Sequence, residues 1–254
     1  YHGGKFRLAP WIIHTFPEHH CYVEPFGGAA GVLLRKPRSY AEIYNDLDGD
    51  IVNFFTVLRD PVTREKLIES VVLTPYSRDE FYLAFEETDD SVERARRTII
   101  RAQMGFGSAG ATKGITGFRI DSKRAYATAQ HLWEAYPEVI RSIGERFSGV
   151  LIENRAAIDV MQQHDSDRTL HYVDPPYVLS TRDDSATSRN YYRHEMDDEE
   201  HIALLETLKS LSGYVVLSGY DNEIYSNQLT SWKQFQTASR IAASRGTKIR
   251  IECI

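Results

Sequence analysis

Short runs of β-branched and aromatic residues alternate along this chain with longer amphipathic segments, and this alternation constrains the fold most. The short runs are typical of buried strands, and the longer ones of helices that cover a sheet. Strands that alternate with helices favour a parallel sheet with helices on both faces. The pattern predicts strands at residues 21–25, 40–44, 150–152, 169–173, 214–217 and 248–253, and helices at residues 29–35, 48–58, 156–162 and 197–211.

The stretch from residue 61 to residue 147 interrupts this alternation. Residues 105–117 within it are rich in Gly, Ser and Thr, which is typical of a mobile loop. The 254 residues therefore divide into an α/β core, residues 1–60 and 148–254, and a mostly helical insert, residues 61–147. The insert's amphipathic pattern predicts helices at residues 78–85, 91–103 and 125–133.

Charge is distributed unevenly along the chain. The net charge is −6, but the segment from Arg94 to Arg124 holds eight basic residues and one acid, so it carries +7 and the remainder carries −13. A basic segment on an acidic body suits a protein that binds a polyanion through one surface. The alternative is a solvated helix face, since Arg94, Arg97 and Arg101 recur at helical spacing. On that interpretation these arginines pair with nearby acids: Glu86, Glu87 and Glu93.

A glycine-rich turn, Glu24-Pro-Phe-Gly-Gly-Ala-Ala-Gly31, follows the first predicted strand. Glycine lets the backbone approach a ligand closely, and a helix N-terminus offers free N–H groups. The second strand ends at Asn45-Asp46-Leu47-Asp48, which puts Asp46 18 residues after Gly28, where an acid suits ribose hydroxyls. Each feature also has a structural explanation, turn geometry for the glycines and helix capping for the acids. Together they favour an adenosine-containing ligand.

The fourth predicted strand ends in Asp174-Pro-Pro-Tyr177. Two prolines remove two backbone donors and fix φ, so the carbonyl groups around them stay rigidly aimed. An aspartate beside such a carbonyl suits an amino group with two hydrogens to donate, and the tyrosine can stack on a flat base. The alternative is a Pro-Pro turn with an exposed aspartate, which the position at a strand end disfavours.

Other features exclude several classes of protein. No apolar run approaches the ~20 residues that a membrane span needs, and residues 1–11 lack the apolar stretch of a signal peptide. Cys21 and Cys253 are expected to be reduced core residues. The nine histidines form no metal-binding motif, so we expect no metal. Ser218-Gly-Tyr-Asp221, at a strand end, either lines the site or forms a turn with a helix cap.

Four elements of the sequence resemble those of the DNA adenine methyltransferases of the Dam type, D12 class, including phage versions. Asp174-Pro-Pro-Tyr177 matches the catalytic motif of that family, and Glu24-Pro-Phe-Gly-Gly-Ala29 matches its cofactor-binding turn. Tyr1-His-Gly-Gly-Lys5 matches an N-terminal element that also contacts the cofactor, and Asn45-Asp46 matches the ribose-binding acid. The elements occur in the family's order, and the resemblance covers essentially the whole chain.

The resemblance implies a Rossmann-like S-adenosylmethionine-dependent methyltransferase fold. It implies a mostly parallel seven-stranded sheet whose last strand is antiparallel, with residues 61–147 as the DNA target-recognition subdomain. It implies catalysis by Asp174, Pro175, Pro176 and Tyr177. The cofactor-binding residues that it implies are Tyr1, Gly3, Gly4, Lys5, Glu24, Pro25, Phe26, Gly27, Gly28, Ala29, Asp46, Asn154 or its neighbours, and Asp174.

The implied reaction transfers a methyl group from S-adenosylmethionine to N6 of an adenine flipped out of the duplex. Asp174 and the carbonyl of Pro175 would accept the two N6 hydrogens, Tyr177 would stack on the base, and Lys5 would approach Asp174 or the cofactor's carboxylate. Alternatives are N4-cytosine or RNA-adenine methylation, or an idle DNA-binding relative, which the intact Asp174 and Lys5 disfavour.

The expected partner is double-stranded DNA, in the cytoplasm of a bacterium or a phage-infected host cell, with no membrane association. We expect the chain to act as a monomer or weak dimer. Residues 94–124 are predicted to supply the DNA surface. The residues expected to contact DNA are Arg97, Arg101, Lys113, Arg119, Lys123 and Arg124.

Overall fold

Five of the six predicted strands form one parallel sheet in the computed structural model, which describes residues 4–106, 115–120, 128–182, 192–243 and 246–254. The sheet order is β3-β2-β1-β4-β5. The strands are β1 (Cys21–Glu24), β2 (Ala41–Asn45), β3 (Leu151–Glu153), β4 (Thr169–Val173), β5 (Tyr214–Leu217), β6 (Gln236–Ala243) and β7 (Gly246–Cys253). The helices are α1 (Ala9–His14), α2 (Gly49–Arg59), α3 (Pro61–Leu73), α4 (Arg78–Leu83), α5 (Ser91–Met104), α6 (Ala129–Glu134), α7 (Tyr136–Phe147), α8 (Ala157–Gln163), α9 (Asp198–Ser210) and α10 (Glu223–Gln228).

The order of the strands locates the site. The chain proceeds outward from β1 through β2 to β3, and then returns to place β4 on the other side of β1. In open α/β sheets, ligands bind at the carboxyl ends of the strands where the order reverses in this way. The reversal lies between β1, which leads into the glycine turn, and β4, which leads into Asp174.

The expected single sheet of seven strands is not formed in the part of the chain that the structure describes. β6 and β7 make a separate antiparallel ribbon, which meets the end of β5 at one antiparallel bridge, between Gly219 and Cys253. The two backbone hydrogen bonds of this bridge are 3.0 and 2.9 Å long. This bridge brings the end of β7 to the edge of the sheet where the site lies.

The helix expected at residues 29–35 is replaced by a series of turns. Gly28 and Ala30 have φ angles of +46° and +54°, which no right-handed helix contains. The amide of Leu33 donates to the carboxylate of Glu24 at 3.0 Å instead of to the carbonyl four residues earlier. A buried side chain therefore takes the hydrogen bond that would have continued the helix.

The region from residue 61 to residue 147 contains α3 to α7 in its described parts, and it shares a core with the sheet. α2 packs against α5 and α7. The ring of Phe55 in α2 stacks on that of Phe147 in α7, with centroids 4.2 Å apart, and both belong to one buried cluster with Tyr22 and Tyr44 of the sheet. Apolar packing thus ties these helices to the strands that carry the site.

Candidate active site

The glycine turn after β1 is held by backbone and side-chain hydrogen bonds from β2. The amide of Gly27 donates to the carbonyl of Asn45 at 2.7 Å, and the hydroxyl of Tyr44 donates to the carbonyl of Gly28 at 2.7 Å. A Cβ atom at Gly27 would lie 2.2 Å from the ring of Tyr44. Gly27 is therefore required by the packing of Tyr44, and its contact with a cofactor stays a prediction.

Asp46 connects the glycine turn to the start of α2. Its carboxylate accepts hydrogen bonds from the amides of Gly28 at 2.7 Å and Asp48 at 2.8 Å. Burial raises the pKa of Asp46, and these two hydrogen bonds oppose the shift. The side-chain amide of Asn154 donates to the backbone carbonyl of Asp46 at 2.7 Å, so it binds the backbone directly after β2.

A cavity of about 280 Å³ opens at the carboxyl ends of β1, β2 and β4. Eleven of the predicted site residues line it: Gly4, Lys5, Glu24, Pro25, Phe26, Gly27, Gly28, Ala29, Asp46, Asp174 and Pro176. Asn154, Pro175 and Tyr177 are not among the lining residues, and Tyr1 and Gly3 fall outside the described residues. The sequence interpretation missed the apolar part of the wall, formed by Leu47, Ile158, Met196 and Leu204. Ile158 lies in the segment after β3, where a contact was expected, whereas Met196 and Leu204 belong to no recognisable motif.

Lys5 and Asp174 form an ion pair at the cavity, although 169 residues separate them in sequence. The Nζ atom of Lys5 lies 2.8 and 3.0 Å from the two carboxylate oxygens. The backbone of Lys5 can pass this close to the glycine turn because residue 31 is glycine: a Cβ there would lie 2.8 Å from the amide nitrogen of Phe6. The sequence prediction that Lys5 approaches the aspartate agrees with this geometry.

The charges around Asp174 shift the pKa values of both partners. Burial raises the pKa of Asp174, and the ammonium of Lys5 opposes that shift. Burial alone would lower the pKa of Lys5, but the carboxylates of Asp174 and Glu252 outweigh it and raise the pKa. Asp174 is the acceptor and Lys5 the donor, and their side chains are 16% and 7% exposed.

Glu24 lines the cavity, although only 2% of the residue is exposed. One of its carboxylate oxygens accepts hydrogen bonds from the hydroxyl of Tyr22 at 2.7 Å and from the amide of Leu33 at 3.0 Å. Burial raises the pKa of Glu24 to about 8, with a further contribution from Asp174, while the hydrogen bond from Tyr22 opposes the shift. The turn is thus built on an acid that binds its proton unusually tightly.

Tyr177 is held from several sides. Its hydroxyl donates to the carboxylate of Glu252, and its ring meets that of Tyr220 edge-on with centroids 4.6 Å apart. The hydroxyl of Ser218 donates to Glu252 at 3.1 Å. The segment after β5 therefore contacts the tyrosine of the Asp-Pro-Pro-Tyr motif, but residues 218–221 are not among those that line the cavity. That this segment lines the site stays a prediction. Glu252 was missed, since nothing in the local sequence of β7 marks it.

The predicted DNA-contacting arginines of α5 have acidic partners within the protein. Arg97 pairs with Glu93 at 2.7 Å, and its side chain is 13% exposed. Arg101 and Arg94 both pair with Asp50, at 2.8 and 2.6 Å. These contacts favour the alternative of a paired helix face, although Asp50 was not among the acids considered. The DNA contacts of Arg97 and Arg101 stay predictions, and their ion pairs weigh against them.

The other predicted DNA contacts are only partly described. Arg119 follows a bridge between Gly105 and Phe118, and its backbone carbonyl accepts a hydrogen bond from the hydroxyl of Tyr76 at 2.8 Å. Arg119 is half-buried. Lys113, Lys123 and Arg124 lie outside the described residues, as does most of the glycine-rich loop.

The model of the family "D12 class N6 adenine-specific DNA methyltransferase" matches residues 1–242. The chain belongs to this family. Its members methylate N6 of adenine in DNA, and the chain is accordingly an N6-adenine DNA methyltransferase. The resemblance that was based on the four sequence elements is thereby confirmed.

A curated relative supports the same assignment. The methyltransferase is 22% identical over 232 residues to the Type II methyltransferase M.MjaIII of Methanocaldococcus jannaschii, an alignment that covers 82% of this chain and 78% of the relative. Among the residues that the structure describes, no helix is long and apolar enough to cross a membrane. Nor do those residues include a group of three or more His, Cys, Asp or Glu side chains suited to a metal ion.

Proposed function

We infer that the methyltransferase transfers a methyl group from S-adenosylmethionine to N6 of an adenine flipped out of double-stranded DNA, in a sequence-specific manner and in the cytoplasm. The observation that carries this inference is the Lys5–Asp174 ion pair, 2.8 Å long, at the edge of a cavity that the glycine turn and Asp46 also line. Family membership supports the reaction.

The walls of the cavity suit the proposed cofactor. Asp46 lies at the end of the second strand, where an acid binds ribose hydroxyls in related folds, and the glycine turn presents backbone groups beside it. The apolar residues Phe26 and Ile158 suit a flat purine ring. The remaining assignments to the cofactor site, including Tyr1, Gly3 and Asn154, rest on the family resemblance.

The chemistry that we propose depends on hydrogen-bond acceptors. When bound, S-adenosylmethionine would supply an electrophilic methyl group and would leave as S-adenosylhomocysteine once its sulfur–methyl bond breaks. The carboxylate of Asp174 and the backbone carbonyl of Pro175 accept hydrogen bonds from the two hydrogens of the N6 amino group, which removes the nitrogen lone pair from conjugation and aims it at that methyl group. As the nitrogen–methyl bond forms, one of these hydrogens leaves as a proton, which the carboxylate of Asp174 takes up. Pro175 and Pro176 keep the acceptors rigid, and Tyr177 stacks on the base. The protein contributes mainly positioning, and Lys5 orients the carboxylate of Asp174.

DNA recognition is assigned to residues 61–147, with residues 1–60 and 148–254 as the catalytic domain. We assign phosphate contacts to Arg119, Lys113, Lys123 and Arg124 ahead of Arg97 and Arg101, whose charges already have partners. The ribbon of β6 and β7 would complete a seven-stranded sheet through its bridge to Gly219. The chain would act as a monomer or weak dimer.

Analysis of the methylated product tests this function. The full chain is incubated with S-adenosylmethionine labelled in the methyl group and with unmethylated double-stranded DNA, and the DNA is then digested to nucleosides. We expect the label in N6-methyladenine only. Label in N4-methylcytosine, or methylation of RNA in preference to DNA, would contradict the proposal.

A further inference from the structure

A buried glutamate beside the Lys5–Asp174 pair has no part in the chemistry described above. Glu252 lies in β7 and is 3% exposed. Its Oε1 atom accepts hydrogen bonds from the hydroxyls of Tyr177 and Ser218 and lies 3.6 Å from the Nζ atom of Lys5. A carboxylate is costly to bury unless it is hydrogen-bonded and paired. Here the Oε1 atom alone binds both hydroxyls and faces the ammonium.

These contacts hold two groups of the proposed site in one arrangement. The hydroxyl end of Tyr177 is bound to Glu252, and the side of its ring is held by Tyr220. The Nζ atom of Lys5 lies 4.7 Å from the centroid of the same ring, within the range of a cation–π contact. The orientation of the ring and the position of the ammonium are therefore linked through Glu252.

Glu252 also affects the charge balance around Asp174. The single ammonium of Lys5 lies between two carboxylates, 2.8 Å from Asp174 and 3.6 Å from Glu252. Like charges in a site with little water disfavour ionisation of either acid. Accordingly, burial raises the pKa of Asp174, Lys5 lowers it, and Glu252 raises it again.

We propose that Glu252 is a positioning residue for methyl transfer, which holds the ring of Tyr177 and the ammonium of Lys5 where the target base and Asp174 require them. The inference rests on the roles proposed above for Asp174 and Tyr177. Glu252 acts through these neighbours and contacts neither the base nor the cofactor.

Two variants of the full chain separate the charge of Glu252 from its reach. Glu252→Gln keeps the size of the side chain and an acceptor oxygen but removes the charge that faces Lys5. Glu252→Asp keeps the charge but is one methylene shorter, so it loses contact with Tyr177.

We expect kcat on unmethylated plasmid DNA to fall about 10- to 100-fold in both variants, as small misplacements cost up to about 10²-fold. The KM for S-adenosylmethionine should stay within about threefold, because Asp46 and the glycine turn are not among the groups that Glu252 contacts. Glu206→Gln, exposed on α9, is the matched control.

The pH dependence of kcat distinguishes positioning from a purely structural role. Glu252→Gln removes the repulsion that raises the pKa of Asp174, so the acid limb of the profile should move to lower pH. Glu252→Asp retains the charge and should leave that limb near its wild-type position. Both variants keep the other titratable groups that face Asp174: Lys5, Glu24, Tyr172, Tyr177, Tyr192 and Tyr225.

The outcomes are separable from failure of the proposed function. Wild-type kcat and an unmoved acid limb in folded Glu252→Gln would overturn the role of Glu252, as would a lower melting temperature with unchanged kinetics. If Glu252→Gln does not fold, a wild-type kcat in Glu252→Asp would overturn it equally. Turnover that survives Asp174→Ala would contradict the role of Asp174, and label in N4-methylcytosine or RNA would contradict the proposed function itself. Loss of turnover in Asp174→Ala, with no loss of turnover in the Glu252 variants, would contradict the inference on Glu252 alone.

Discussion

The ring of Tyr44 occupies the space where a side chain at position 27 would begin, so that Gly27 and Tyr44 fit together only because one of them is glycine. Tyr44 is completely buried, its hydroxyl binds the carbonyl of Gly28, and its ring meets Phe55 edge-on at 4.8 Å. The turn at the cavity and the core behind it are thus one packed unit.

Gly27→Ala should therefore destabilise the protein and weaken cofactor binding together. Overpacking of a filled core costs about 1–3 kcal/mol, and displacement of Tyr44 would also move Gly28. Thermal unfolding and calorimetric titration with S-adenosylmethionine measure the two effects. Tyr44→Leu removes the obstructing ring. In a double-mutant cycle, the double variant should therefore lose less stability than the sum of the two single losses. Strictly additive free energies would contradict this packing relationship.

Asp46→Ala should weaken binding of the cofactor by about 1.5–3 kcal/mol, because charge-assisted hydrogen bonds to ribose are lost. The amides of Gly28 and Asp48 also lose their acceptor, so we expect a lower melting temperature as well. Affinity for DNA without cofactor should barely change. Asp167→Ala, exposed and outside the cavity, is the control. An unchanged cofactor affinity by calorimetry would remove Asp46 from the binding site.

Glu24 should make the protein less stable as the pH rises. Its pKa is about 8 in the folded protein against a usual value of 4.5, so the folded state binds the extra proton between these values. The stabilisation is complete below pH 4.5 and is lost as the pH rises through about 8. One pKa unit corresponds to about 1.4 kcal/mol, so Glu24→Gln should gain several kcal/mol relative to wild type between pH 5 and pH 9.

Urea unfolding of both proteins at the two pH values measures this difference. Glu69→Gln, exposed on α3, serves as the control and should follow the wild type. If the free energy of unfolding changed with pH in the same way for wild type and Glu24→Gln, then Glu24 would not bind an extra proton in the folded protein.

Salt titrations of DNA binding should distinguish Arg119 from Arg101. Each phosphate contact that is lost reduces the slope of log affinity against log salt by about 1. We expect that reduction for Arg119→Ala. Arg101→Ala should leave the slope unchanged and lower the melting temperature, because Arg101 pairs with the buried Asp50. A slope reduced by about 1 in Arg101→Ala would instead place α5 on the DNA.

The strands and the contiguous motifs were predictable because their signals are local. β4, Thr169–Val173, is buried at every residue, and its short run of β-branched and aromatic residues is typical of a strand. The helix predicted at residues 29–35 does not form, because the carboxylate of Glu24, which lies outside that segment, accepts a hydrogen bond from the amide of Leu33. β6 was missed because its sequence, Gln-Thr-Ala-Ser-Arg-Ile-Ala-Ala, is weakly apolar, and its pairing with β7 makes it a strand.

The same distinction applies to the site. Asp174-Pro-Pro-Tyr177 and the glycine turn were predictable because each motif is contiguous in the sequence. Glu252 was not, since it reaches Tyr177 from 75 residues further along the chain. The charge count likewise suggested free arginines on α5 because Asp50, which neutralises Arg94, lies 44 residues earlier.

The central claim is that the Asp174 carboxylate accepts hydrogen bonds from the adenine amino group during methyl transfer. Single-turnover methylation of DNA by Asp174→Ala, with cofactor binding measured in parallel, tests it most directly. An acceptor used mainly in the transition state should cost on the order of 10² or more in rate, while S-adenosylmethionine still binds and the Asp167→Ala control keeps its activity. A rate for Asp174→Ala within a few-fold of wild type would contradict the account.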